Sequence, residues 1–150
     1  MTEIFDTEII HKTIIRVPIE RVYDALSTAE GLDEWFTQGA EVDRKVGGNI
    51  LFRWESERAD VQSGVIEDGG RIFEVDRPTH FAFQWHPDNN SYATNVHFKL
   101  EETEKGTVVS VQEYGFENTP KGRKALIGCA TGWGEAFTML KYYLEHGITY

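Results

Sequence analysis

Residues 81–100 read FAFQWHPDNNSYATNVHFKL, and the fold is decided there. Phe81, Phe83 and Trp85 alternate with Ala82, Gln84 and His86, while Val96, Phe98 and Leu100 alternate with His97 and Lys99. A period of two marks a strand with one buried face. Pro87 stands at the boundary between the two runs, where a residue without an N–H is tolerated. The register that keeps the large side chains together sets Phe81 opposite Phe98 and Phe83 opposite Val96. A third run holds Val109 and Val111, and the same argument sets Val96 opposite Glu113 and Phe98 opposite Val111. A slip of one residue would turn every ring to solvent. The polar stretch 102–106 suits the hairpin loop between the second and third runs.

Upstream, Ile50, Phe52 and Trp54 alternate after Gly47-Gly48. Residues 61–67 and 71–75 flank Asp68-Gly69-Gly70, which reads as a hairpin turn between two strands. Residues 9–17 form a first strand, with Ile9, Thr13, Ile15 and Val17 on one face and His11 sharing their parity. Pro18 opens a short helix carrying Ile19, Val22 and Leu26 on one side. Ser27 with Glu30 has the form of a capping box and starts a second short helix through Phe36. Downstream, residues 121–146 form the longest helix: Leu126, Cys129, Trp133, Phe137, Leu140 and Leu144 recur at spacings of three and four. Gly147 stops it. A stripe that long needs an apolar partner, and the concave face of the antiparallel sheet is the one large surface left. Gly128, Gly132 and Gly134 each cost about 1 kcal/mol inside a helix, so a close approach to the sheet or a local bend is expected there.

The chain has 150 residues, a length that fits one domain spanning residues 1–150 with a substantial core. With 40% hydrophobic and 13% aromatic residues it is too apolar for disorder, despite a formal net charge of -10. That acidity argues against nucleic acid and against anionic membrane surfaces as partners. No apolar run approaches the ~20 residues of a membrane span, and residues 1–7 do not read as a leader. Cys129 is the single cysteine, so no internal disulfide forms and a cytoplasmic location is expected.

The order of one strand, two short helices, six strands and a long helix resembles the SRPBCC (START-like, helix-grip) superfamily. Within it, the chain is similar to homologues of the C-terminal domain of the activator of heat shock protein 90 ATPase. The residues that carry the likeness are Val17-Pro18 with Val22, Leu32 with Trp35, Gly47-Gly48, Pro78 with Phe81 and Trp85, Gly106-Thr107, and Gly132-Trp133 with Leu140 and Gly147. All are markers of fold. The resemblance implies an α+β helix-grip (START/Bet v 1-like) fold, a curved antiparallel sheet wrapped around the C-terminal helix. It also implies either an apolar ligand held between sheet and helix, or a chaperone-linked role in the stress response.

The candidate ligand-binding residues are the inward rings Trp35, Phe52, Trp54, Phe83, Trp85, Trp133 and Phe137, with Val96 and Glu113 beside them. Such rings either line a pocket or fill the interior themselves. Glu113 is aimed inward, where a charge needs a partner, a pocket mouth or a different register. His11 is the candidate partner, and the two could serve as acid and base. His80, His86 and His97 take the outward parity, and no cysteine or clustered carboxylate completes a ligand set, so no metal is expected. There is no Gly-x-Ser-x-Gly and no phosphate-cradling glycine pattern, and Cys129 sits on an apolar stripe, so neither a nucleophile nor a cofactor site is read. Three functions follow in order of preference: non-enzymatic binding of a small apolar ligand, a protein-interaction module with a closed cavity, and a cyclase- or aromatase-type enzyme using Glu113 and His11.

Overall fold

The computed structural model describes residues 3–56, 64–87 and 91–149. Among the described residues ten elements follow one another: β1 (Ile9–Ile15), α1 (Ile19–Ser27), α2 (Ala29–Trp35), β2 (Glu41–Val42), β3 (Asn49–Ser56), β4 (Gly64–Asp76), β5 (His80–Trp85), β6 (Thr94–Thr103), β7 (Gly106–Tyr114) and α3 (Pro120–His146). The strands make one antiparallel sheet in the order β1-β7-β6-β5-β4-β3-β2. The first strand thus crosses to pair with the last, Ile9 opposite Glu113 and His11 opposite Val111. This is the helix-grip architecture, with α3 held in the hollow of the sheet.

The registers read from the alternating rings hold. Phe81 faces Phe98 and Phe83 faces Val96, and Val96 faces Glu113 and Phe98 faces Val111. These side chains are buried with Phe52, Ile72, Leu100 and Val109 in a core that α3 closes with Trp133, Ala136, Phe137, Leu140 and Leu144. The helix begins at Thr119, whose hydroxyl accepts from the Gly122 N–H at 2.9 Å, and Pro120 takes the first-turn position that lacks an intrahelical acceptor for its N–H. It ends at Gly147, whose φ of 69° is the left-handed stop expected of a glycine there.

Three local readings are corrected. The second helix is capped by Thr28, whose hydroxyl accepts from Gly31 N–H at 2.9 Å. Ser27 belongs to α1 and turns its hydroxyl back onto Tyr23 C=O at 2.6 Å, so it is not the cap. Asp68-Gly69-Gly70 is not a turn, because β4 runs unbroken through it for 13 residues. The glycines are there because neighbouring strands press close: a Cβ on Gly69 would meet Ile50 O at 2.0 Å, and one on Gly70 would meet Gln84 O at 2.1 Å. At this point β4 passes from β3 to β5, with a bulge between Ile72 and Glu74. Residues 64–67 therefore belong to the same strand as 71–75, while 61–63 lie outside the described residues, and the sixth strand after the helices is the unforeseen two-residue β2. Finally, the helix glycines do not mark a close approach to the sheet, since a Cβ on Gly128, Gly132 or Gly134 would meet nothing within 4 Å.

Candidate functional site

The open space beside Gly128 and Gly132 is the edge of a pocket of about 340 Å³. Trp54 from β3 and Trp85 from β5 stand on its sheet side, and Phe36, just past α2, adjoins them. The helix side is one face of α3: Gly128, Cys129, Gly132, Trp133, Glu135, Ala136 and Met139. The aromatic wall is ordered by ring contacts. Phe36 meets Trp54 edge-on at 5.3 Å, Phe52 stacks on Trp54 at 5.8 Å, and Trp85 stacks on Trp133 at 5.1 Å. Offset and edge-on pairs of this kind add rigidity beyond area burial. Gly128 and Gly132 leave the helix without side chains where it borders the space, a role the spacing alone did not reveal.

Of the residues expected to bind a ligand, Trp54, Trp85 and Trp133 border the pocket. Phe52, Phe83, Val96 and Phe137 are core residues behind it. Trp35 lies elsewhere, its indole N–H donating to Ala25 C=O at 2.9 Å and its ring stacked on Phe36 at 4.7 Å. Phe36, Cys129, Met139 and the two glycines were not foreseen as lining, because a pocket edge follows the path of the backbone and not the periodicity of apolar residues.

Glu113 is fully buried behind the tryptophans and does not open on the pocket. One carboxylate oxygen accepts from Trp85 Nε1 at 2.8 Å and Thr94 Oγ1 at 2.6 Å, and the other accepts from Trp133 Nε1 at 2.8 Å. Burial pushes its pKa above the usual carboxylate value, against the three hydrogen bonds that favour the charged form. The inward aim was therefore read correctly, but the expected pairing with His11 does not form. In the β1–β7 register Ile9 stands opposite Glu113, whereas His11 packs edge-on against Phe137 at 5.7 Å. A carboxylate whose oxygens are taken by fixed indole donors is an anchor between sheet and helix, poorly placed to exchange protons with a ligand.

Asp68, which the sequence places in a turn, is a second, half-buried carboxyl of this region. Burial raises its pKa, opposed by hydrogen bonds from the His86 and Gly69 backbone N–H groups, at 2.8 and 2.7 Å. The Cys129 thiol is pushed up by burial and by the nearby Glu113 and Asp68, which disfavours its thiolate.

The outer face of the sheet departs from the expectation of scattered histidines. Glu74 joins His80 and His97 in a cluster that could hold a metal ion, one ligand atom from each lying within 4.8 Å of the others. His86 is apart, its ring against Gly69 C=O at 2.9 Å. Among the described residues, no helix is long and apolar enough to cross a membrane.

Comparison with known proteins places this architecture. No curated protein sequence matches the chain. Among solved structures, the Aha1 dimer from Colwellia psychrerythraea, determined in solution, is 25% identical with a TM-score of 0.76, covering 94% of this chain and 98% of that one. A protein from Staphylococcus saprophyticus is 27% identical with a TM-score of 0.73, covering 96% of each chain. One from Mesorhizobium loti, at 22% identity and a TM-score of 0.75 over 95% of this chain and 99% of its own, shares the fold. The model of the family described as Activator of Hsp90 ATPase homolog 1-like protein matches residues 16–145, from the end of β1 almost to the end of α3, and the chain belongs to that family.

Proposed function

We propose that the chain is a non-enzymatic binding protein that takes a small apolar, ring-bearing molecule into the pocket between the sheet and α3, acting as a single domain. The observation that carries this reading is the pocket itself: about 340 Å³, walled by Phe36, Trp54, Trp85 and Trp133, and bordered on the helix by glycines in place of side chains. A space of this size lies at the small end of the range for ligand sites. Its lining offers flat aromatic faces and the Met139 thioether, groups that suit stacking against a planar apolar ligand. The nearest buried carboxylate is fully engaged, which favours binding over acid–base turnover.

The test is titration with a fluorescent apolar probe, together with mass spectrometry of small molecules that co-purify with the chain. Trp54→Ala and Gly132→Leu should weaken probe binding at least tenfold, while Lys99→Ala, on an exposed outward position of β6, should not. Equal effects from all three would sink the pocket as the site.

A second reading is favoured by the family and by the similarity to the Colwellia Aha1. In it the chain is a chaperone-linked interaction module whose pocket is incidental. Stimulation of a heat shock protein 90 ATPase by the chain, undiminished by Gly132→Leu, would select that reading over ligand binding.

A further inference from the structure

On the convex face of the sheet, away from α3, four polar side chains form one connected row. Glu74 comes from β4, His80 from β5, His97 from β6 and Tyr114 from β7. His80 Nδ1 lies 2.7 Å from Glu74 Oε1. His80 Nε2 lies 2.9 Å from His97 Nδ1, and His97 Nε2 lies 3.1 Å from the Tyr114 hydroxyl. The sheet builds this convergence. Glu74 pairs with Ala82 and Ala82 with His97, so a fully buried alanine is the floor between carboxylate and imidazole. The walls are aromatic: Phe73 meets the His97 ring edge-on at 5.3 Å, and Tyr114 stacks on it at 5.6 Å.

The proton order along the row follows from what each group can do. An ionised carboxylate only accepts, so His80 Nδ1 donates to Glu74. A neutral His80 then has a bare Nε2, which accepts from His97 Nδ1–H, and His97 Nε2 accepts from Tyr114 O–H. One proton therefore sits between two facing imidazole nitrogens. The outer nitrogen of each ring is tied to an oxygen, the arrangement that orients metal-binding histidines.

We propose that Glu74, His80 and His97 form a binding site for a divalent transition metal ion of the zinc class, held by His80 Nε2 and His97 Nδ1. The ion takes the place of the bridging proton. Two nitrogens on a tetrahedral zinc, each at ~2.0–2.1 Å from the metal, stand about 3.3 Å apart, so the nitrogens must part by a few tenths of an ångström and the rings must turn until both lone pairs meet at the ion. The displaced proton passes through solvent to His97 Nε2, and the Tyr114 hydroxyl turns to accept it, so both imidazoles remain neutral and no group is oxidised or reduced. Glu74 stays on His80 Nδ1 and raises the basicity of the ligating Nε2. The His80 side chain is 20% exposed and that of Glu74 is 44% exposed, which gives solvent access to the remaining coordination positions. Imidazole donors select zinc, nickel or copper over magnesium and calcium, which prefer all-oxygen sets.

The experiment is calorimetric titration of the full chain with ZnCl2, alongside long-range ¹H–¹⁵N NMR of the histidine rings. The expected result is saturable binding of one equivalent, with MgCl2 silent. Zinc should shift His80 Nε2 and His97 Nδ1 while leaving the rings of His11, His86 and His146 in place. His80→Gln and His97→Ala should each abolish saturation, and Glu74→Gln should lower affinity 10- to 100-fold, the usual effect of losing the group that orients a ligand. Should His97→Ala fail to fold, His80→Gln and the ring shifts of the parent decide. Absence of saturable heat, binding unchanged in His80→Gln, or shifts at the other histidines only would each overturn the assignment.

Discussion

Replacing Glu113 tests how sheet and helix are joined. The carboxylate is fully buried and receives two indole N–H groups and one threonine hydroxyl, from β5, α3 and β6. Glu113→Leu fills a similar volume but leaves all three donors in place. The threonine hydroxyl can rotate away. The indoles of Trp85 and Trp133 cannot, because each is stacked on the other at 5.1 Å. At ~1–3 kcal/mol for each buried donor left unpaired, the leucine variant should lose about 2–6 kcal/mol. Glu113→Gln keeps one accepting oxygen and turns an NH2 toward a donor, so one bond is lost, at ~1–3 kcal/mol. Swapping a whole buried polar set for apolar groups can stabilise a protein, but removing only one partner does not. The pH dependence has a definite sign. The folded pKa is raised, so the stability Glu113 contributes relative to glutamine is fully present below the unfolded value and is lost as pH rises through the folded one. Urea denaturation followed by tryptophan fluorescence, from pH 4 to pH 8, measures both quantities. A leucine variant as stable as the parent would refute the anchor, and a parent advantage over glutamine that grows with pH would refute the raised pKa.

Trp133→Ala should cost about 3–5 kcal/mol, the range for a buried ring, since Trp133 is 3% exposed and also holds Glu113; a loss under ~1 kcal/mol in chemical denaturation would contradict its place in the core. Gly132→Ala should raise stability by up to ~1 kcal/mol, because its Cβ meets nothing within 4 Å; a drop in the urea midpoint would show that the helix packs more closely there than described. Gly70→Ala should destabilise by at least ~1–3 kcal/mol, the usual cost of overpacking, because the new methyl would run into Gln84 O. A neutral result in the same assay would return residues 68–70 to a turn.

What was legible in the sequence is what periodicity encodes. Phe81, Phe83, Val96 and Phe98 announced both their strands and their partners, because a two-residue repeat with one apolar face admits few registers. The stripe on α3 was legible for the same reason at a period near 3.6. Asp68-Gly69-Gly70 misled because a glycine pair has two physical causes. It can relieve a positive φ in a turn, or it can make room for a neighbouring backbone, and only the three-dimensional neighbours, Ile50 O and Gln84 O, tell them apart. Ser27 misled in a similar way, since adjacent hydroxyl residues compete for one cap and the chain direction at Thr28 decided it.

The tryptophans of the pocket were legible, but its helix edge and the convex cluster were not, because each depends on residues from separate elements meeting in space. Glu74 sits two residues before Asp76, in a stretch without a histidine, and nothing in its neighbourhood marks it as a partner for His80. The bulge between Ile72 and Glu74 shifts the pairing so that Glu74 stands beside Ala82. Without that one-residue adjustment the outward and inward parities of β4 would exchange beyond Ile72, and the carboxylate would point toward the core instead of the histidines. One irregularity thus serves both faces of the sheet. It keeps Ile72 in the core and sends Glu74 to the outer row, so the aromatic pocket and the His80–His97 pair can be built back to back on the same strands. It also separates the two proposals experimentally. Substitutions at Trp54 or Gly132 should alter apolar-probe binding and leave zinc binding as it was, while His80→Gln should do the reverse. A variant on one face that abolished both in a folded protein would show that the strands between them transmit a change, and the two sites would then have to be treated as one coupled system.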